Sequence, residues 1–410
     1  MGSDSVDIHT SEVTAAGLAA GLDAVGIAAA TPFVRTKATL LERRAKGLHG
    51  DMAFTYRNPE RSTNPSRTLA GARSLVVGAL GYRPAPRQAP SSTASTQGTP
   101  ERPLARVAAY AQKDHYGHLR AALSEVAELL RAAGHKAVVV ADDNALVDRE
   151  AARQAGLGWY GKNSNILLPG KGSWFVLGSV ITTAQLEPAE PLPEACGACR
   201  RCIDGCPTGA IVAPGVVDAR RCLAWLVQAE GDFPEEFRTA LGNRIYGCDD
   251  CQEVCPPNRP STNRPSTNHL STNLSDDNCN SNSSASAQAT VDLIELLGLG
   301  DEALLARYGR WYIPRRQPRY LRRNALVALG NSQSAGHREV VSALRRYMNH
   351  DDPMLVHHAR WAATQLGLYV EQESCVEQES CVEQESCVEQ ESCVEPEQQS
   401  SPTTVQGMGK

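Results

Sequence analysis

Cys196-Gly-Ala-Cys199-Arg-Arg-Cys202-Ile-Asp-Gly-Cys206-Pro207, then a lone Cys222, then Cys248-Asp-Asp-Cys251-Gln-Glu-Val-Cys255-Pro256, is the stretch from which this chain is read. Two residues between the first and second cysteines, two more before the third and three before a Cys-Pro make the bacterial ferredoxin run. In that run three thiolates bind one cubane and the fourth reaches the other. The second half supplies four further thiols, so eight cysteines suit two 4Fe-4S clusters. Ferredoxin logic assigns Cys196, Cys199, Cys202 and Cys255 to one cluster and Cys206, Cys222, Cys248 and Cys251 to the other. Structural zinc also uses paired CxxC motifs, but it requires neither Cys202 nor the paired Cys-Pro endings. A disulfide framework is weaker still, because the cysteines crowd one segment of a long chain.

Outward from this stretch, 410 residues with 41% hydrophobic content suffice for several cores. A net charge of -5 argues against coating nucleic acid through bulk charge. The N-terminus, Met-Gly-Ser-Asp-Ser-Val-Asp, carries acids where a secretory signal carries Lys or Arg. The alanine-rich stretch 15–30 is broken by Asp23 and too short to span a bilayer. A cytoplasmic, reducing setting without membrane attachment is expected.

Residues 1–190 alternate helix and strand and read as one α/β domain. Leu119, Leu123, Val126 and Leu130 line one face of a helix over 115–133, and Ala137-Val-Val-Val-Ala141 is a strand with Asp142-Asp143-Asn144 at its mouth. Ligands and catalytic groups gather at such mouths in open α/β sheets. Gly156-Leu-Gly-Trp-Tyr-Gly161-Lys162-Asn163 follows, with three glycines that permit close backbone approach to a ligand, or simply a tight turn. Pro84–Pro103 reads as an exposed loop insertion.

Residues 191–258 form the two-cluster domain. Beyond it, Arg-Pro-Ser-Thr-Asn repeats make 259–290 a disordered insertion, and residues 291–368 read as a HEAT-like stack of short helices. Arg307, Arg310, Arg315, Arg316, Arg319, Arg322 and Arg323, interleaved with Trp311, Tyr312 and Tyr320 and with no acid among them, suit RNA phosphates and bases as well as they suit a solvated helix face. A tail over 369–410 repeats Val-Glu-Gln-Glu-Ser-Cys and reads as disordered. Its cysteines and Cys279 raise the total to 13.

The cysteine run, the Gly156 loop, Gly172-Ser-Trp-Phe-Val-Leu-Gly178, Val217-Asp-Ala-Arg-Arg-Cys222, Gly242-Asn-Arg-Ile-Tyr-Gly-Cys248 and Leu321-Arg-Arg-Asn-Ala-Leu-Val-Ala-Leu-Gly-Asn331 together resemble the epoxyqueuosine reductase family. The resemblance covers about residues 10–255 and 290–368. It implies an α/β cobalamin-binding domain, a ferredoxin-like domain with two 4Fe-4S clusters and an all-α HEAT-like domain. It implies further an oxidoreductase that completes queuosine at the tRNA wobble position, with cobalamin reduced through the clusters. The family's proton donor maps to Asp142, with adjacent Asp143 as a possible substitute. The bland reading of that pair is a helix cap. Arg61, Asp142, Lys162, Asn163, Ser164 and Ser173 map to cofactor contacts. Arg315, Arg316, Arg319, Arg322 and Arg323 would face the anticodon stem-loop. The expected partners are tRNA and an external electron donor such as ferredoxin or flavodoxin, and the expected state is a monomer. The rival readings are a reductive dehalogenase-like enzyme, a ferredoxin-type electron-transfer module and an RNA-binding scaffold with structural metal.

Overall fold

Four strands open the architecture: β1 (Ala24–Ala29), β2 (Ser74–Gly81), β4 (Ala137–Ala141) and β5 (Phe175–Thr182), in the order β1-β2-β5-β4. The computed structural model describes residues 8–54, 56–82, 102–259, 289–332 and 334–368. The expected Pro84 loop lies almost wholly outside these residues. The repeat insertion beyond Arg259 and the tail lie entirely outside them, with Cys279 and the tail cysteines.

Every pairing in the four-stranded sheet is antiparallel. Alternation of helix and strand therefore does not produce the parallel sheet from which the strand-mouth argument was drawn. β2 and β5 lie centrally and are almost continuously apolar, as strands covered on both faces must be. One face carries α1 (Thr10–Ala19) and α2 (His115–Ala132), the latter through Leu119, Leu123, Val126 and Leu130. Gly78 and Gly178 pair across β2 and β5, and together they seat Leu123. A Cβ on Gly178 would lie 2.8 Å from the Leu123 side chain. The other face packs against α3 (Asp148–Gln154) and Leu157.

β3 (Leu104–Val107) belongs elsewhere. It is the central strand of a second sheet, parallel to β6 (Arg244–Tyr246) from the cysteine segment and antiparallel to β7 (Thr290–Asp292). Val107, Ile245, Tyr246, Val291, Tyr308 and Trp311 share one core with the C-terminal helices. Tyr246 stacks on Trp311 at 4.7 Å, and the Trp311 indole N–H donates to the Ala111 carbonyl at 2.9 Å. A linear division at 190 and 258 thus cuts across a sheet to which three segments contribute, and the described residues form one compact unit. Among them no helix is long and apolar enough to cross a membrane.

The C-terminal helices are α4 (Arg319–Gly330), α5 (Arg338–Met348) and α6 (Pro353–Gln365). Gly330 lets α4 and α6 approach, since a Cβ there would meet Trp361 at 2.7 Å and Ala362 at 2.8 Å.

Candidate active site and cluster centre

The eight cysteines of the double run are free thiols, with Cys202 and Cys255 buried and the other six partly exposed. Short local turns gather each group. The Cys199 N–H bonds the Cys196 carbonyl at 3.1 Å, and the Ala210 N–H points at Cys206 Sγ at 3.2 Å. Cys255 senses Cys202, Cys196 and Cys199 electrostatically, whereas Cys251 senses Cys248, Cys222 and Cys206, and also Cys202. The crossed quartets expected from the spacing are compatible with these neighbours, and Cys202 and Cys251 also interact across the two sets. Burial pushes the Cys255 thiol up to about 11 and the Cys248 thiol up to about 12. A metal centre binding there must displace protons, as thiolate ligation generally does.

The Gly-rich loop clasps this centre. Lys162 Nζ donates to the Gly197 and Cys199 carbonyls at 2.6 and 2.9 Å. Asn163 Nδ2 donates to the Cys251 carbonyl at 3.3 Å, and the Ser164 hydroxyl donates to the Gly215 carbonyl at 2.9 Å. Ser173 is buried, and its hydroxyl accepts from Asn258 at 3.0 Å and from Gln252 at 3.1 Å. Gly172 precedes it with φ +77, and a Cβ there would lie 2.0 Å from Asn258 Oδ1. The side chains of Lys162, Asn163, Ser164 and Ser173 thus engage the cysteine segment. The Ser164 N–H donates to the Gly161 carbonyl at 2.9 Å and the Ser173 N–H to Asn258 Oδ1 at 2.6 Å. Arg61 stays exposed on a short helix beside the strand mouth, where the Val147 N–H bonds the Ser62 carbonyl at 2.9 Å.

Asp142 follows β4 in a left-handed conformation, φ +53, which is uncommon for a non-glycine residue. Its accessible area is large, yet the surrounding protein desolvates the carboxyl enough to push its pKa up. Asp143 adds to the rise and Arg120 opposes it. Asp143 does not share this position, because its Oδ1 accepts the Ala145 N–H at 2.7 Å and closes the turn. Around Asp142 stand Tyr116 and Tyr246, with Tyr82 and Tyr110 behind them. Desolvation raises all four phenols, so they remain protonated hydrogen-bond donors. Tyr82 accepts from Gln252 at 3.4 Å, one residue from Cys251. Only Tyr246 sits in a motif singled out in the sequence; Tyr82, Tyr110 and Tyr116 carry no such signal.

The arginines are largely spoken for. Arg307 pairs with Glu295, Arg319 with Asp352 at 2.8 Å and Arg322 with Asp301 at 2.5 Å. Arg323 is fully buried and donates to the Leu226 and Ala229 carbonyls at 3.0 and 2.8 Å, beside Asn324, which reaches Val227 at 2.8 Å. It docks α4 onto the cysteine segment, so its assignment to RNA is corrected. Arg315, paired with Glu230 at 2.9 Å, and Arg316, which donates to the Gly309 carbonyl at 3.1 Å, are nevertheless exposed, both have positive φ, and exposed Tyr312 lies three residues before Arg315. Such strain persists only where the surroundings enforce it and clusters at functional sites. Arg323→Ala should therefore lower stability by about 2 kcal/mol or more, because it leaves buried carbonyls unpaired. Arg315→Ala with Arg316→Ala should leave the melting temperature unchanged. Differential scanning fluorimetry distinguishes the two.

A last cluster, Asp232, His357 and His358, has ligand-type atoms within 4.8 Å of one another. Both ring nitrogens of His358 are already engaged, by the Phe233 N–H at 3.1 Å and the Met354 carbonyl at 2.7 Å. The trio is a packing contact.

Comparison with known proteins converges on one family. The 4Fe-4S double cluster binding domain matches residues 195–258. Epoxyqueuosine reductase of Bacillus anthracis is 32% identical over 85% of this chain and 86% of its own length. A crystal structure of epoxyqueuosine reductase with a tRNA-Tyr epoxyqueuosine-modified stem loop superposes with a TM-score of 0.74 at 29% identity, covering 87% of this chain and 90% of that one. The Bacillus subtilis enzyme, with its aspartate-bearing catalytic loop swung out of the active site, superposes at 0.73 and 29% identity, covering 87% and 90%.

Proposed function

Since this chain belongs to the epoxyqueuosine reductase family, and is an oxidoreductase with a double 4Fe-4S cluster domain, we propose that it reduces epoxyqueuosine to queuosine in tRNA, with Asp142 as proton donor. Epoxide, two electrons and two protons give alkene and water, so an acid must meet the departing oxygen. The observation that carries the reading is Asp142 itself: an acid with a raised pKa, on a left-handed turn, in a chain that also carries the eight thiols of a double-cluster domain.

Cys196, Cys199, Cys202 and Cys255 would hold one cluster, and Cys206, Cys222, Cys248 and Cys251 the other. Cobalamin carries a rim of amides, and buried Asn144 Oδ1 and Trp159 Nε1 lack a partner among the described residues, so the strand mouth and the Gly-rich loop can receive such a cofactor. Arg61 and the amides of Lys162 and Asn163 would complete the contacts. When bound, cobalamin supplies a cobalt able to take up electrons and pass them to the substrate. Asp142 holds the proton for the leaving oxygen, and Arg120, over the Tyr116 ring at 5.7 Å, tempers its pKa. Arg315, Arg316 and Tyr312 would grip the anticodon stem-loop, as the epoxyqueuosine reductase solved with a stem loop invites. The electrons would come from an external ferredoxin- or flavodoxin-type donor.

The test is anaerobic purification, reconstitution with cobalamin and reaction with an epoxyqueuosine-modified stem loop. About eight irons per chain, bound cobalt and queuosine formation are expected. Iron without cobalt or turnover would reduce the protein to an electron carrier. Charge removal at Arg315 and Arg316 should also flatten the salt dependence of RNA binding by roughly one unit per lost phosphate contact.

A further inference from the structure

Lys162 leaves the Gly-rich loop and ends on the backbone that carries Cys196 and Cys199, where its Nζ donates to the Gly197 and Cys199 carbonyls at 2.6 and 2.9 Å. Among the described residues no carboxylate pairs with this ammonium, so its charge is met by carbonyl dipoles and is not cancelled. The neighbouring cations differ. Arg200 and Arg201 are exposed, and Arg200 pairs with Asp204 at 3.4 Å. Lys162 is half-buried, where solvent and salt screen a charge less. The loop is also held without the ammonium. The Gly215 N–H bonds the Lys162 carbonyl at 2.9 Å, the Ser164 hydroxyl bonds the Gly215 carbonyl at 2.9 Å, and Asn163 reaches the Cys251 carbonyl at 3.3 Å. Clasping the two segments therefore requires no charge at position 162.

We propose that Lys162 tunes the iron-sulfur cluster bound by Cys196 and Cys199: its ammonium, seated on their loop, raises the reduction potential of that cluster. These two cysteines serve one cluster whether the quartets cross or follow the chain order, so the inference rests on the double-cluster domain and not on the substrate. Reduction adds one electron to the cluster, drawn from the external donor, and makes or breaks no bond. A fixed cation beside the ligand loop stabilises the added negative charge. Net charge, hydrogen bonding and exposure set such potentials, and residues behind the ligands are the means by which a protein adjusts them. Gly197 and Ala198 are exposed, so a donor can approach this loop, and a raised potential favours the entry of electrons there.

The experiment titrates the full chain, with both clusters assembled and before cobalamin is added, with dithionite, and follows the clusters by electron paramagnetic resonance. Lys162→Gln retains an N–H donor and removes the charge. Its iron content should match wild type. At a fixed poise the reduced-to-oxidised ratio of one cluster should fall about tenfold, which is ~59 mV for a one-electron couple, while the other cluster keeps its midpoint. Lys162→Arg keeps the charge and should keep both midpoints. Unmoved midpoints in a Lys162→Gln that holds its iron would overturn the proposal, and so would equal falls at both clusters. If Lys162→Gln does not assemble its clusters, Lys162→Arg decides, because a fall there as large as that expected for the neutral variant overturns the role of charge. A wild-type chain that takes up no iron would instead remove the cluster reading, and the proposal with it.

Discussion

Asp142→Asn should reduce turnover of the modified stem loop by about a hundredfold or more while iron content, cobalamin binding and RNA affinity stay at wild-type levels. General acid catalysis contributes roughly 10²–10⁴ in rate, and the amide cannot deliver a proton to the departing oxygen. Because Asn tolerates the left-handed region better than most residues, the turn should survive, and the loss would report chemistry and not geometry. Asp143→Asn should retain most activity, since its carboxylate is occupied at the Ala145 N–H and an amide oxygen accepts that bond equally well. Mass-spectrometric conversion of epoxyqueuosine to queuosine measures both. Full activity in Asp142→Asn would remove it from the mechanism.

The second large effect concerns the crossing of the cysteine quartets. Cys255→Ser should leave about four irons of the roughly eight expected for two clusters, and turnover should vanish because the electron path is cut. The partner cysteine in a double variant tells which cluster was lost. Cys255→Ser with Cys196→Ser should lose no more iron than Cys255→Ser alone, since both serve one quartet. Cys255→Ser with Cys251→Ser should lose nearly all of it. Neighbours acting as one unit are expected to be non-additive in this way. If instead Cys255 and Cys251 behave as one unit, the grouping follows the linear order of the chain and the crossed assignment is wrong.

These outcomes bear on the arginines too. Seven of them without an intervening acid resemble an RNA-binding face when the chain is read linearly. In three dimensions Glu295, Asp301 and Asp352 arrive from other helices, Glu230 reaches Arg315 from the cysteine segment, and Arg323 is sealed beneath α4. Exposed ion pairs contribute only ~0–1 kcal/mol, so the Arg315–Glu230 contact at 2.9 Å can be exchanged for a phosphate. Arg323 cannot be, because its carbonyl partners would be left buried and unpaired.

What the sequence by itself determined is what local spacing controls. The double-cluster domain over residues 195–258 follows from it, since a cubane imposes its own distances on a short loop. So do the helix over 115–132 and the buried strands, because apolar periodicity records which face must leave water. The position of Asp142 after its strand was legible in the same way. Only the tertiary structure decided the rest: the antiparallel sheet, the second sheet assembled from three distant segments, and the use of Lys162, Asn163, Ser164 and Ser173 as a clasp on the cysteine segment. The physical reason is common to all three. Each rests on hydrogen bonds between groups far apart in the chain, and the partners are set by which backbone groups burial would otherwise leave unsatisfied, a quantity no local pattern contains.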